Sequence, residues 1–108
     1  MPAITDLTSL RDALRDFCAA RDWHRYHTPK NLVMALSVEA AELVEHFQWS
    51  TPEESQALPA GKRAEVADEI ADVLIYLTEL ADVLEIDPIA AARAKIAKNA
   101  LKYPAPGA

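Results

Sequence analysis

Residues 62–84 read KRAEVADEIADVLIYLTELADVL, and this stretch decides the fold. Val66, Ile70, Val73, Leu77, Leu80 and Leu84 recur at steps of three and four, the spacing of one apolar stripe on an α-helix. No glycine or proline interrupts the run, and alanine, leucine and glutamate favour helix. Beside the stripe stand Glu69 and Asp72, three residues apart and therefore on one face.

Upstream, residues 28–49 read TPKNLVMALSVEAAELVEHFQW, with Leu32, Leu36, Ala40, Leu43 and Phe47 as the matching stripe. Glu39 and Glu42 repeat the three-residue acid spacing. On a helical wheel Glu39 and Glu69 each fall about 70–80° from their stripe centres, and Glu42 and Asp72 about 130–140°. Two neighbouring helices of a bundle would turn both acidic edges into one cleft. Four carboxylates drawn together repel one another unless a hard divalent cation with oxygen ligands, Mg2+ before others, holds them.

The remaining chain supports an all-α, four-helix bundle-like domain spanning residues 1–108. A first helix is expected from Asp6 to Arg21, with Leu7, Leu10, Leu14 and Phe17 inward and Cys18 in line with them as a small core residue. The second is expected from Thr28-Pro29 to Trp49, the third over 62–84, and the fourth from an Asp87 cap before Pro88 to Leu101. Thr51-Pro52-Glu53-Glu54 has capping-box form and predicts a short extra helical turn before Pro59. Residues 104–108 read as a frayed tail. Met34, Val38, Ile75 and Val83 add a second apolar side to the middle helices, which predicts a homo-oligomer that buries both.

Net charge −6 disfavours a nucleic-acid polymer as partner, though not a free nucleotide carrying its own magnesium. One cysteine excludes an internal disulfide and a cysteine zinc cluster. No leader-like or membrane-length apolar run is read, so the expectation is no membrane and a cytoplasmic setting.

Other chemistry-bearing residues cluster. Trp23, His24, Tyr26 and His27 crowd the first linker, Trp49 ends the second helix, and Tyr76 follows Asp72 by one turn. Such rings suit a nucleobase, or simply the edge of a core. Lys95, Asn99 and Lys102 recur on one face of the last helix, beside Lys98 and Tyr103, a face fit for a triphosphate or for the helix dipole alone. Asp68 and Glu79 are expected to be exposed; Glu45 and Glu65 fit either the site or solvent.

Glu39-x-x-Glu42, 26 intervening residues, then Glu69-x-x-Asp72 resembles the signature of the MazG-like, all-α nucleotide pyrophosphohydrolases. Arg21-Asp22-Trp23, His27-x-Pro29-x-Asn31-Leu32, Phe47-Gln48-Trp49, residues 72–77 and Asn99-x-x-Lys102-Tyr103-Pro104 are similar to its dCTP pyrophosphatase branch, over about residues 10–104. Dimeric dUTPases and phosphoribosyl-ATP pyrophosphohydrolases share variants of the acid motif. One departure is Leu14, where members of the branch can carry histidine. The resemblance implies a homotetramer, built as a dimer of dimers, that cleaves a nucleoside triphosphate to the monophosphate and pyrophosphate. It implies Glu39, Glu42, Glu69 and Asp72 as ligands of Mg2+, with Mn2+ as the substitute ion. It implies a base pocket of Trp23, His27 and Trp49, with Asn31 and Tyr76 lining the site. Lys95, Asn99, Lys102 and Tyr103 would contact the triphosphate, and a neighbouring subunit would supply some of these groups.

Two rival classes are weighed. A ferritin-like di-iron centre needs Glu-x-x-His pairs, which are missing here. A non-enzymatic helical interaction module would leave the acidic faces solvated. In the enzymatic reading Glu42 is the acid assigned to accept the water's proton.

Overall fold

The computed structural model describes residues 2–107. Helix α1 (Leu7–Ala20) starts where Asp6 Oδ1 accepts from the Ser9 N–H at 2.7 Å and Ser9 Oγ accepts from the Asp6 N–H at 3.0 Å. This capping box satisfies donors that a helix start otherwise leaves open. Thr28 caps α2 (Pro29–Glu45) in the same sense, and Thr51 with Glu54 closes a second capping box around α3 (Pro52–Ser55). α4 (Ala60–Val83) follows Pro59 without a side-chain cap, and Asp87 caps α5 (Pro88–Lys102). A 3-10 turn, His24–Tyr26, joins α1 to α2. Among the described residues there is no strand, and no helix is long and apolar enough to cross a membrane.

Two helices stop without glycine. Asp22 (φ 54°) and Glu85 (φ 56°) adopt the left-handed conformation. The next N–H in each case reaches back over the helix end, Trp23 N to Cys18 O at 3.0 Å and Ile86 N to Ala81 O at 2.8 Å. Both are Schellman closures, and the first turns Trp23 back against α1. α2 ends earlier than its sequence predicts, at Glu45 rather than Trp49. Past it, Phe47 and Gln48 donate together to Val44 O and Ser50 donates to Phe47 O, so the helix unravels into tight turns.

α4 packs along α2 and, over a shorter length, against α1, while α5 packs extensively on none of them. Arg15 ties α1 to α4 by a two-pronged pair with Asp82, at 2.6 and 2.9 Å. Among the described residues the buried side chains are Leu32, Cys18, Val66 and Thr78, the first two almost completely so. Cys18 is thus the core residue its alignment predicts. Ile70, Leu77 and Leu84 of the predicted stripe stay exposed within the chain, together with Met34, Val38 and Val83 of the second apolar side. The radius of gyration is 17.0 Å, against about 13 Å for a compact chain of this length. The polypeptide is open, with much of its apolar surface uncovered. Tyr103 to Gly107 lie beyond the last helix, and Ala108 is outside the described residues.

Candidate active site

The packing of α2 along α4 brings the two acidic edges together. One carboxylate oxygen from each of Glu39, Glu69 and Asp72 lies within 4.8 Å of the other two. Glu42 flanks Glu39 and Glu69, and its charge helps raise the pKa of both. Glu39 is pushed up to about 7, chiefly by burial and then by Glu69 and Glu42. Glu69 is also raised, chiefly by burial, with Glu42 and Asp72 adding to it. The two carboxyls titrate as a pair.

One oxygen of each, Glu39 Oε2 and Glu69 Oε2, is buried with no hydrogen-bond partner. Orphaned buried acceptors are rare in folded proteins and call for an explanation. A hard divalent cation would give these oxygens a ligand and relieve the repulsion, and the all-oxygen donor set matches what Mg2+ takes. The residues present therefore fit the ion.

The neighbouring acids divide. Glu45 and Asp68 are exposed. Glu65 turns to His46 and Lys62, at 4.0 and 3.8 Å, and does not join the group.

A groove of about 620 Å³ opens between the N-terminal segment, α1, the first linker and α4. Trp23, His27 and Tyr76 line it, with Leu14, Phe17 and Ile75 supplying apolar wall. Trp23 packs edge-on to Phe17 at 5.6 Å and to His27 at 6.5 Å, and the Arg21 guanidinium covers the Phe17 ring at 3.5 Å. Tyr76 links groove to acids. Its phenol is raised by burial first and then by Glu39, Glu79 and Asp72, so it stays a neutral hydrogen-bond donor at neutral pH.

Other predicted members lie apart. Trp49 is 89% exposed on the unravelled end of α2 and does not line the groove with Trp23 and His27. Asn31 has a structural task in this chain: its amide Nδ2 donates to Tyr26 O at 2.9 Å, bracing the linker against α2. Lys95, Asn99, Lys102 and Tyr103 are exposed on and just after α5, and among the described residues no ion pair or side-chain hydrogen bond joins them to the acids.

The family model of the MazG-like family matches residues 34–108, which include both acid pairs. The chain belongs to the MazG-like family. It is 40% identical over 105 residues to dCTP pyrophosphatase 1 of Mus musculus, covering 95% of this chain and 60% of that protein. Against dCTP pyrophosphatase 1 of Homo sapiens it is 40% identical over 106 residues, covering 96% and 61%. The chain thus spans about 60% of the length of these curated relatives. The crystal structure of a pyrophosphatase from Archaeoglobus fulgidus matches with a TM-score of 0.87 and 46% identity, over 97% of this chain and 98% of that one.

One residue of this MazG-like chain escapes its sequence pattern. Glu79 is expected to be exposed, yet its side chain is only 11% exposed. It accepts from Cys18 Sγ at 3.3 Å and stands 3.9 Å from His27 Nδ1, on the wall of the groove. Asp72, Tyr76 and Glu79 follow at i, i+4 and i+7 on one face of α4, a spacing that groups them but does not by itself separate Glu79 from a solvated glutamate.

Proposed function

We propose that this chain is a nucleoside triphosphate pyrophosphohydrolase, acting with Mg2+ on dCTP or a modified dCTP to give the monophosphate and pyrophosphate, in cytoplasmic nucleotide-pool sanitation. The observation that carries this reading is the convergence of Glu39, Glu69 and Asp72 from two helices beside an aromatic groove. The similarity to dCTP pyrophosphatase 1 supports the substrate class.

Glu39, Glu69 and Asp72 would hold the ion, with Glu42 at their side. When bound, the cation neutralises charge on the phosphoryl oxygens and makes a water more acidic. Glu42, outside the trio whose oxygens converge, would accept the proton of the water attacking the α-phosphorus. Trp23 and Tyr76 would flank the base, and the Tyr76 hydroxyl would donate to the substrate near the acids. His27 closes the groove on the linker side.

The open shape of the monomer supports self-association, and the family resemblance favours a homotetramer, a dimer of dimers. An open apolar hollow lined by Leu43, Val44, Phe47, Val66 and Ile70, and the uncovered side chains of α5, are surfaces for a second copy. In that assembly Trp49 and the Lys95, Asn99, Lys102 and Tyr103 face reach a neighbour's site. There the lysines stabilise the departing pyrophosphate.

The test is a panel of dCTP, dTTP, dUTP and ATP with Mg2+, following pyrophosphate. Release that Glu69→Gln abolishes supports the reading. No release from any member defeats it, and full turnover by Glu69→Gln removes the ligand assignment.

A further inference from the structure

We propose that Glu79 selects the base: its carboxylate accepts a hydrogen bond from the exocyclic amine of a 4-aminopyrimidine and rejects a 4-keto pyrimidine. This rests on the pyrophosphohydrolase reading for its substrate and on separate observations for its chemistry. Glu79 is the enclosed acid of the groove; the two others on its rim, Asp12 and Asp16, are exposed. Among the described residues no lysine or arginine pairs with it. A carboxylate so enclosed, with only the His27 imidazole in ion-pair range, is costly unless hydrogen-bond donors satisfy it.

The chain supplies only part of that need. Cys18 Sγ donates to Oε1 at 3.3 Å. Burial first, and Glu79 second, push the Cys18 thiol up to about 11, so it keeps its proton and stays a donor. The other oxygen, Oε2, is 3.9 Å from His27 Nδ1, beyond hydrogen-bond reach. Among the described residues Oε2 thus has no hydrogen-bond donor, and it faces the groove open to water or to a ligand that displaces it.

Its location suits a base edge. Glu79 lies two turns beyond Asp72 on the same face of α4, about 10 Å along the axis. That is the scale of a nucleotide from α-phosphate to base. Tyr76 stands between them and Trp23 shares the groove, so a ring stacked there presents its edge to the carboxylate. An amine at ring position 4 donates to Oε2, the pairing by which Glu and Asp read cytosine. A keto oxygen at that position meets a like partial charge and leaves Oε2 unpaired.

The experiment compares wild type with Glu79→Gln on dCTP and dUTP at saturating Mg2+. It also compares dCMP and dUMP binding to wild type by tryptophan fluorescence. The expected wild-type preference for dCTP is about 10- to 100-fold in kcat/KM. The glutamine amide can donate or accept, so Glu79→Gln should bring the ratio to within about threefold of unity, mainly through KM. dCMP should bind wild type more tightly than dUMP by a similar factor. An unchanged ratio in Glu79→Gln with pyrophosphate release intact overturns this proposal alone. So does a wild-type preference for dUTP. If no triphosphate is cleaved, the pyrophosphohydrolase reading fails, and the monophosphate comparison still decides Glu79: equal binding overturns it, a dCMP preference supports it.

Discussion

Removing divalent ions should make this protein less stable as pH rises from about 5 to 8, and Glu39→Gln should cancel much of that loss. Glu39 has a folded-state pKa of about 7 against an ordinary 4.5, so between those values the folded chain holds a proton the unfolded chain has released. Stability then falls with rising pH, and the penalty is complete above the folded value. At about 1.4 kcal/mol per unit, the full shift gives a ceiling of ~3.4 kcal/mol. The side chain is only partly enclosed, so solvent screening reduces this to about 2 kcal/mol, on the order of 10 °C in Tm. The assay is thermal melting by circular dichroism in EDTA at several pH values. At pH 8 the metal-free Glu39→Gln variant should melt above wild type, although it has lost a proposed ligand. Mg2+ at about 100 times its Kd should raise the wild type by ~2.7 kcal/mol and the variant by less. Parallel pH profiles for the two proteins, or a wild type that gains on the variant toward pH 8 in EDTA, would refute the reasoning.

Three further outcomes are expected. Asp82→Asn should cost about 1 kcal/mol at pH 7 by urea melts, since it breaks the Arg15 pair across α1 and α4. The Arg15 hydrogen bonds hold Asp82 below its free 3.8. This contribution is therefore full above that value and fades as pH falls through the lowered folded one, so the deficit should shrink as the pH drops below 3.8. Glu85→Gly should raise stability by about 0.5 kcal/mol, because glycine relieves the left-handed strain at φ 56° but gives back some unfolded-state entropy. Met34→Glu with Ile70→Glu, two uncovered positions on α2 and α4, should give a smaller mass by light scattering than the wild type. An unchanged mass would remove those faces from the interface.

The helices were legible because their signals are local. Thr28-Pro29, Thr51-Pro52-Glu53-Glu54 and Asp87-Pro88 each combine a capping side chain with a proline that loses no hydrogen bond. The acid cluster was legible for a different reason: equal wheel angles on two long helices become contact once those helices lie side by side, as α2 and α4 do. What escaped depends on partners that no spacing reveals. Glu79 falls on the acidic face of α4 like any solvated glutamate, and only the arrival of Cys18 and His27 from α1 and the linker encloses it. The end of α2 was overrun because residues 46–49 contain neither glycine nor proline, and shared acceptors, not composition, end the helix. The apolar stripes marked which positions want burial without saying whose surface buries them, so Ile70 and Leu77 remain open in a single chain.

The acidic edges of α2 and α4 are tested most directly by calorimetric titration of Mg2+ into the nucleotide-free protein, alongside Glu69→Gln. Saturable binding to the wild type with proton release near neutral pH, and its loss in the variant, is the expected result. Equal binding to both proteins, or no heat with either, would contradict it.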